Sequence, residues 1–525
     1  MAGTTAFRRA FVQAGALRIH YRRGGTGAPV VMLHPSPLSS SVVLPVAAEI
    51  ATRCEVFAVD TPGYGLSDPL SRRPASLADY LQPLHDVLDA LGIQRCCLYG
   101  AATGAQIALE FAARFPKRVA LLVMDTAGHI PAPDCERLVD GYFPDVTPRA
   151  DGAHLATLWG LVRDLGVFFP WNDTRRVARI RRDLPPPAVM QAMLLDYLRA
   201  GARYDWAYRP AFYNERAERL RHCRVPSVLT RWPSSIALAI TDALIAEGLP
   251  ANFELLPLGP SLADRAMGIA DAIALRIRDL PQATGASHVV PTGRFYSQFL
   301  DAGDLQLHAR MASAGAGRPL VTLHAAGASA RLLEPLLAPL VARRPLIAID
   351  LPGHGESDGS TALPADLVEP VRQALDGLAV AGADLLGDGL GATVTGALHR
   401  SDPARFGRQA VLDRRTPVGA PWPDLRPRLD GGHLFEAWHM LRDRRLWEPW
   451  HERVASAVRG DADPDLSADS LHAELVELLK CGERFPDAIR REAGSGSSRH
   501  PEAVPMAIPA DPVAAGATIR RWLGA

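Results

Sequence analysis

Histidine side chains recur at matched places along the sequence, and histidine can take up and release protons near neutral pH. His154 and His433 both follow an Asp-Gly pair, in Asp-Gly-Ala-His and Asp-Gly-Gly-His. One interpretation is a hydrogen bond at the start of a helix, and the other is an acid or base that faces a pocket. His129 follows Asp125 by four residues and is a third candidate for a pocket-facing group.

Cysteine offers little for nucleophilic or metal chemistry in this chain. The six cysteines are scattered, and no Cys-x-x-Cys pair suggests a zinc or redox site. Cys96 and Cys97 lie inside an apolar run, which favours a buried core position over a reactive thiol. We therefore expect no metal, no cofactor and no disulfide framework.

The matched histidines belong to an internal duplication. Leu33-His34 recurs as Leu323-His324, and the turn at 60–68 (Asp-Thr-Pro-Gly-Tyr-Gly-Leu-Ser-Asp) recurs at 350–358 as Asp-Leu-Pro-Gly-His-Gly-Glu-Ser-Asp, both at an offset of 290 residues. Later segments recur in the same order with slightly smaller offsets. An offset this large indicates two copies of a whole domain, because a solenoid repeats every ~20–50 residues.

The length of 525 residues also favours two domains, since it exceeds what one hydrophobic core normally spans. We expect the linker near residues 282–293, where Gly and Ser precede a new strand-like run. The predicted domains are residues 1–285, with a helical cap at about 140–222, and residues 290–525, with a cap at about 420–490.

Each copy alternates short apolar runs with helical patterns, which predicts a mostly parallel sheet with helices on both faces. A helical stretch over 151–222 interrupts the first copy. A Gly/Ser-rich segment at 493–498 stands where the first copy has a strand and a helix, so we expect the second core to be truncated by one such unit. The apolar runs predicted as buried strands of the first copy are 30–33, 56–59, 96–99, 120–124 and 225–229.

Together these features resemble the α/β-hydrolase superfamily, in particular its small-molecule hydrolases with a helical cap. The resemblance rests on the strand that ends in Leu-His, the Asp-x-Pro-Gly-x-Gly-x-Ser-Asp turn and a glycine-flanked strand–turn–helix. It covers nearly the whole chain, twice. It implies an α/β fold of two tandem α/β-hydrolase-fold domains, each a mostly parallel sheet flanked by helices with a helical cap insertion.

In that family the nucleophile lies in Gly-x-Ser-x-Gly, at an elbow where a strand turns sharply into a helix. Here the first elbow reads Gly-Ala-Ala-Thr-Gly and the second reads Gly-Asp-Gly-Leu-Gly, with Ala102 and Gly389 at the nucleophile positions. Neither residue can attack a carbonyl, so the resemblance predicts that the serine mechanism is lost in both copies. Ala102 is expected to keep the strained backbone of the elbow, whereas glycine adopts it at little cost.

The resemblance also implies a histidine in the loop before the C-terminal helix of each domain. The corresponding segments, 255–264 and 504–511, contain none, and the second copy is expected to lack the strand that the acid usually follows. Some relatives place the acid where Asp125 and Asp413 stand. Without a histidine to orient, an aspartate has no role in a triad.

The binding apparatus is the part of the family pattern that both copies keep. Backbone N–H groups after each elbow, and others in the loop after each Leu-His strand, could hold a carbonyl or carboxylate oxygen. The two loop histidines are expected to shape these loops, and the threonine side chain is expected to point away from the elbow. The residues predicted at these oxyanion sites are His34, Ser36 and Thr103 in the first copy and His324, Ala326 and Leu390 in the second.

Three functions are compatible with this pattern. The first is a degenerate hydrolase that binds a small organic molecule, or scaffolds a partner, without turnover. The second is an enzyme of hydrolase or lyase type that combines the oxyanion donors with a non-serine acid or base such as His154 or His433. In the third, the duplication is mainly structural and the two domains mimic a homodimer.

Composition limits the range of partners. Basic and acidic residues balance at 57 each, so we expect no nucleic-acid partner and no attraction to an anionic membrane. No stretch approaches the ~18 consecutive apolar residues of a membrane span, and the N-terminus has no apolar signal core. We expect a cytoplasmic protein whose partner is a small-molecule ligand.

Overall fold

The chain forms two compact units in the computed structural model. One comprises Met1–Thr147 and Ala156–Val289, and the other comprises Pro148–Leu155 and Val290–Ala525. The structure describes all residues except 1–6, 181, 278, 286–289, 314, 316, 360–363, 413–419, 461–462, 495–503, 507–511 and 524–525.

A sheet of eight strands forms the centre of the first unit. The strands are β1 (Arg8–Ala14), β2 (Leu17–Gly24), β3 (Pro29–Leu33), β4 (Glu55–Val59), β5 (Cys96–Ala101), β6 (Val119–Asp125), β7 (Ser227–Arg231) and β8 (Phe253–Pro257). Their order is β1-β2-β4-β3-β5-β6-β7-β8. Only β1 and β2 run antiparallel to their neighbours; the six others are parallel. The five predicted strands correspond to β3–β7.

Helices cover both faces of this sheet, and five of them lie between β6 and β7, where the cap was predicted. The helices are α1 (Leu44–Ile50), α2 (Leu81–Ala90), α3 (Thr103–Arg114), α4 (Ala132–Val139), α5 (Ala153–Asp164), α6 (Pro187–Ala200), α7 (Tyr208–Asn214), α8 (Ala217–Leu220), α9 (Leu238–Ala246) and α10 (Leu262–Arg276). Helices α4–α8 are the cap helices.

The second unit repeats this plan. Its strands are β9 (Tyr296–Ala302), β10 (Leu305–Ala312), β11 (Leu320–Leu323), β12 (Leu346–Ile349), β13 (Ala383–Asp388), β14 (Phe406–Leu412) and β15 (Val504–Met506). The order is β15-β14-β13-β11-β12-β10-β9, again with only the first two strands in chain order antiparallel. Its helices are α11 (Ala330–Leu337), α12 (Pro364–Gly377), α13 (Leu390–Ser401), α14 (Gly432–Leu446), α15 (Ala468–Cys481), α16 (Phe485–Gly494) and α17 (Pro512–Leu523).

The predicted fold class is confirmed, but the prediction for the end of the second sheet is wrong in one respect. The strand next to β14 is present: β15 pairs with β14 in parallel, as β7 pairs with β6. It is only three residues long and contains Pro505, so the sequence shows no strand pattern there. Within the described residues the second sheet ends at β15, so its missing strand is the counterpart of β8.

The repeated Asp-x-Pro-Gly turn has a structural role in both units. The buried carboxylate of Asp60 accepts hydrogen bonds from the backbone of Ser40 at 2.7 Å and from Nδ1 of His20 at 2.7 Å. Asp350 accepts the same two bonds, from Ala330 at 2.6 Å and from His308 at 2.8 Å. This carboxylate ties the turn after the second parallel strand to the segment that follows the oxyanion loop.

Two kinds of feature are absent from the part of the chain that the structure describes. No helix there is long and apolar enough to cross a membrane. No group of three or more His, Cys, Asp or Glu side chains there could hold a metal ion.

Candidate functional site

The first elbow lies between β5 and α3 and has the strained backbone expected of it. Ala102 adopts φ 49° and ψ −115°, a region that side chains other than glycine rarely occupy. A Cβ on Gly100 or on Gly104 would lie less than 3.0 Å from backbone atoms, so the flanking glycines are required by close approach of the strand and helix. The elbow therefore persists with a methyl group in place of a nucleophile.

The second elbow, between β13 and α13, has the same backbone. Gly389 adopts φ 49° and ψ −116°. Side chains are excluded at Gly387 and Gly391 as well, since a Cβ on either would lie less than 3.0 Å from neighbouring backbone. The two elbows thus differ in their side chains and in their surroundings, not in their main-chain conformation.

The first elbow opens into a cavity of about 300 Å³, and Ala102, Thr103 and Ser36 contribute to its wall. This volume is at the lower end of the range for small-molecule sites. Two arginines and one glutamate, Arg182, Arg265 and Glu215, also line it. Most of the remaining wall is apolar and includes Leu38, Val162, Phe169, Met193, Phe212 and Ile240.

Asp125, at the end of β6, is fully buried beside the first elbow. Its backbone carbonyl accepts a hydrogen bond from the N–H of Ala102 at 2.9 Å. Its carboxylate accepts bonds from the Tyr99 hydroxyl at 2.6 Å and the Thr230 hydroxyl at 2.7 Å. Burial acts to raise the pKa of Asp125, but the positive charge of Arg265 and these hydrogen bonds outweigh it and lower that pKa. Asp125 is therefore a stable carboxylate.

Arg265 binds Asp125 where the family pattern implies a histidine. Its Nε and Nη2 atoms donate to one carboxylate oxygen at 3.0 and 2.5 Å. Ser261 and Asp264 form the capping box that begins α10, which places Arg265 in the first turn of that helix. The basic partner of Asp125 is therefore an arginine instead of the histidine of the family pattern, and the sequence analysis did not name it. Arg265 directly follows the segment 255–264, and in an arginine-rich chain its residue type gives no signal.

Glu215 is the second functional candidate at the cavity that sequence reasoning missed. It lies at the end of α7, and its carboxyl group accepts a hydrogen bond from the backbone of Gly128 at 2.6 Å. Burial raises the pKa of Glu215 to about 8, although the bonds from Gly128 and Gln106 act in the opposite direction. At neutral pH Glu215 is mostly a protonated acid, which can donate a proton.

The second oxyanion site contains a carboxylate from the chain itself. Oε2 of Glu492, in α16, accepts hydrogen bonds from the backbone N–H of Ala326 at 2.7 Å and of Leu390 at 2.8 Å. The structure therefore brings together the two donors predicted from the sequence, and it places an acceptor on them. Glu492 is buried, and nothing in the sequence distinguishes it from the other acidic residues of the cap helices.

Gly389 makes room for this carboxylate. A Cβ at position 389 would lie less than 3.0 Å from the Glu492 carboxyl atoms, so any larger residue would displace it. A Cβ on Gly327, in the oxyanion loop, would overlap the ring of Phe485 in the same way, so α16 is closely packed against this loop. The Glu492 carboxylate therefore fits over the second elbow only because residue 389 is a glycine.

The loop histidines shape the oxyanion loops, as expected from the resemblance. His34 Nδ1 lies 2.9 Å from the carbonyl of Pro35, and its Nε2 accepts the N–H of Thr61 at 2.9 Å. His324 makes the matching contacts with Ala325 at 2.8 Å and Leu351 at 2.9 Å. Both rings are buried and bound to backbone.

The three other candidate histidines are not at an elbow. His129 Nδ1 accepts the backbone N–H of Ala217 at 3.1 Å, and His129 is not part of the cavity wall. His154 and His433, both in the second unit, each accept a backbone N–H five residues earlier at 3.2 Å, and burial lowers the pKa of each to about 4. The helix-start hydrogen bond is therefore present at both histidines, and their role as pocket-facing acids or bases stays a prediction. Asp413, the remaining candidate, lies outside the described residues.

Comparison with known proteins finds a family match in the N-terminal part of the chain. Residues 28–185 match the family described as alpha/beta hydrolase fold. This match extends from β3 through the cap helix α5 and includes the first elbow. Together with the two sheets and their elbows, this match supports the α/β-hydrolase superfamily.

Relatives with sequence similarity match only part of their length. An uncharacterized protein of Mycobacterium tuberculosis is 33% identical over 110 residues, which is 21% of this chain and 32% of that protein. The cis-3-alkyl-4-alkyloxetan-2-one decarboxylase of Shewanella oneidensis is 30% identical over 135 residues, covering 25% of this chain and 42% of the relative. The chain thus aligns with about a third to two fifths of these relatives.

Among solved structures, epoxide hydrolase A from Mycobacterium thermoresistibile aligns with a TM-score of 0.41 and 16% identity. The alignment covers 53% of this chain and 100% of that structure.

Proposed function

We propose that the first unit binds a small, mostly apolar organic molecule in the cavity over Ala102, and that neither unit uses a Ser-His-Asp mechanism. The observation that carries this proposal is the pairing of an intact elbow with an alanine. The strained backbone, the flanking glycines and the cavity are all kept, while the atom that would attack a substrate is missing.

The Asp125–Arg265 pair supports the second half of the proposal. An arginine remains protonated at any pH at which the protein is folded, so it cannot accept the proton of a nucleophile. A serine placed at position 102 would therefore have no general base. In the second unit the Glu492 carboxylate occupies the donors that would otherwise stabilise an oxyanion.

The loss of covalent catalysis can be tested with p-nitrophenyl butyrate as substrate. We expect no burst of p-nitrophenol from the wild-type chain, and none from Ala102→Ser. A burst from the wild type that is abolished by one substitution at either elbow would contradict the proposal.

Binding can be tested by filling the cavity. Ala211 lines the cavity from α7, and Ala211→Glu would place a carboxylate in it. We expect calorimetry to detect binding of a neutral aromatic amide, 4-phenylbutanamide, by the wild type and at least a tenfold loss in the variant. Ala246→Glu, at an exposed position of α9, is the matched control and should bind as the wild type does.

A second candidate function is catalysis with a non-serine acid, and Glu215 is the observation that favours it. It is a protonated carboxylic acid at neutral pH on the wall of an apolar cavity. If the cavity catalyses proton transfer, Glu215→Gln should lower kcat at pH 7 by 10²-fold or more and leave ligand affinity nearly unchanged. Equal turnover by both proteins would exclude this function for Glu215.

A further inference from the structure

The charged groups at the first cavity favour an anionic ligand. Arg265 is neutralised by Asp125, and Glu215 is mostly uncharged at neutral pH. Arg182 adds a positive charge to the wall. Arg182 is an exposed residue, so its charge adds a positive potential at the wall and favours a ligand that carries one negative charge.

One nitrogen of the Arg265 guanidinium, Nη1, makes no hydrogen bond of normal geometry to a described residue. Nε and Nη2 donate to Asp125, and the Tyr99 side chain also interacts with the guanidinium. The guanidinium is planar and held at two points, so the direction of its third nitrogen is fixed before a ligand binds. Such a preorganised group binds a carboxylate with little loss of conformational entropy.

Comparison with the second unit identifies one position in the first cavity that a ligand carboxylate cannot occupy. Glu492 reaches the donors of the second oxyanion site only because residue 389 has no side chain. Ala102 has the same backbone angles and does have a Cβ, so a ligand carboxylate in the position of the Glu492 carboxylate would overlap its methyl group. A carboxylate in the first cavity must therefore bind elsewhere, and the free donor of Arg265 is beside the elbow, joined to it through Asp125.

We propose that the ligand of the first cavity is a small apolar monocarboxylate and that its carboxylate group binds Nη1 of Arg265. This inference rests on the proposed function, namely that the cavity over Ala102 is a binding site. Asp125 is the positioning residue, because it holds the guanidinium without contacting the ligand.

Two probes of nearly equal shape separate charge from apolar contact: 4-phenylbutanoate and 4-phenylbutanamide. Calorimetry at pH 7 should give about tenfold or greater preference of the wild type for the carboxylate, the usual contribution of one charge-assisted hydrogen bond. Arg265→Gln alone would leave Asp125 buried without its counter-charge and could unfold the chain. The double variant Asp125→Asn/Arg265→Gln removes both charges and keeps polar groups at both positions.

The matched control is Arg231→Gln/Asp242→Asn, which removes an ion pair of similar geometry away from the cavity wall. We expect the control to keep the preference for the carboxylate and the Asp125/Arg265 variant to bind both probes equally. An unchanged preference in that variant, or equal binding of both probes by the wild type, would overturn the inference and leave the binding cavity standing. Binding of neither probe by the wild type would overturn the proposed function itself, and the inference with it.

Discussion

The two elbows of this chain have the same main-chain conformation and opposite surroundings. Ala102 faces an open cavity, whereas Gly389 lies under a carboxylate that the chain itself supplies. The elbow conformation is therefore set by the strand–turn–helix and its flanking glycines, and it does not depend on the residue at its centre. What the elbow can bind is decided by the cap helix above it.

The cap helices explain this difference. Helices α6 and α15 both end at a glycine with φ near 55°, Gly201 and Gly482, and a short 3₁₀ turn follows each. Ten residues after these glycines stand Ala211, on the cavity wall, and Glu492, on the oxyanion donors. A methyl group at this place leaves the first cavity open, and a glutamate at the equivalent place closes the second site.

The largest effect on stability is expected when the second elbow is given the residue of the first elbow. In Gly389→Ala, the new Cβ would meet the Glu492 carboxylate and the backbone would keep a positive φ. We expect the second unit to lose about 3 kcal/mol, from strain and from two hydrogen bonds to a charged group. Faster amide hydrogen exchange at Ala326 and Leu390 would measure this loss.

A double-mutant cycle isolates the role of Glu492 in that loss. In a Glu492→Ala background the clash is gone, so Gly389→Ala should cost only the backbone strain, about 1 kcal/mol. If the cost of Gly389→Ala is the same in both backgrounds, the glycine and the glutamate are not coupled.

A second prediction concerns the effect of Glu215, in the wall of the first cavity, on the pH dependence of stability. Burial raises the pKa of Glu215 to about 8, above the value of 4.5 for an exposed side chain. Between about pH 5 and pH 8 the native state therefore holds a proton that the unfolded state has released, and stability falls as pH rises through this window. Glu215→Gln removes this effect, so its melting temperature relative to the wild type should rise by several degrees from pH 5 to pH 8.

Glu218→Gln, at an exposed position of α8, is the control for a general effect of charge and should follow the wild type at each pH. Parallel melting curves for the wild type and Glu215→Gln across this range would mean that Glu215 is ionised in the folded chain.

The smallest expected effect is at the first elbow. Ala102→Gly removes the cost of a side chain at φ 49° and should stabilise the first unit by about 1 kcal/mol. Ala101→Gly, one residue earlier in β5, makes the same chemical change in ordinary strand conformation and should destabilise by a similar amount. Thermal unfolding distinguishes the two, and a loss of stability in both variants would show that Ala102 is not strained.

The sequence predicted those parts of the molecule that depend on local pattern. The duplication, the parallel sheets and the positions of Ala102 and Gly389 follow from motifs whose glycines are required by close backbone approach. The donors Ala326 and Leu390 could be named because they are backbone groups, fixed by the fold and independent of side-chain type.

The residues that decide the chemistry could not be predicted in the same way. Arg265 and Glu492 come from helices far from the elbows in sequence, and each reaches its partner only because the fold brings distant segments together. Glu215 is unusual through burial, which a single sequence does not reveal. The strand at Val504–Met506 was missed because three residues with a central proline give no periodicity.

The glutamate over the second elbow also has a consequence for thermodynamic linkage. A site that binds a free ligand gains stability in proportion to the logarithm of the ligand concentration, so the first unit should be more stable when its ligand is abundant. A tethered carboxylate has a fixed effective concentration, set by the chain and not by the solution. Under the proposed function, one chain would combine a unit whose stability depends on ligand concentration with a unit whose oxyanion donors are filled by Glu492 at every ligand concentration.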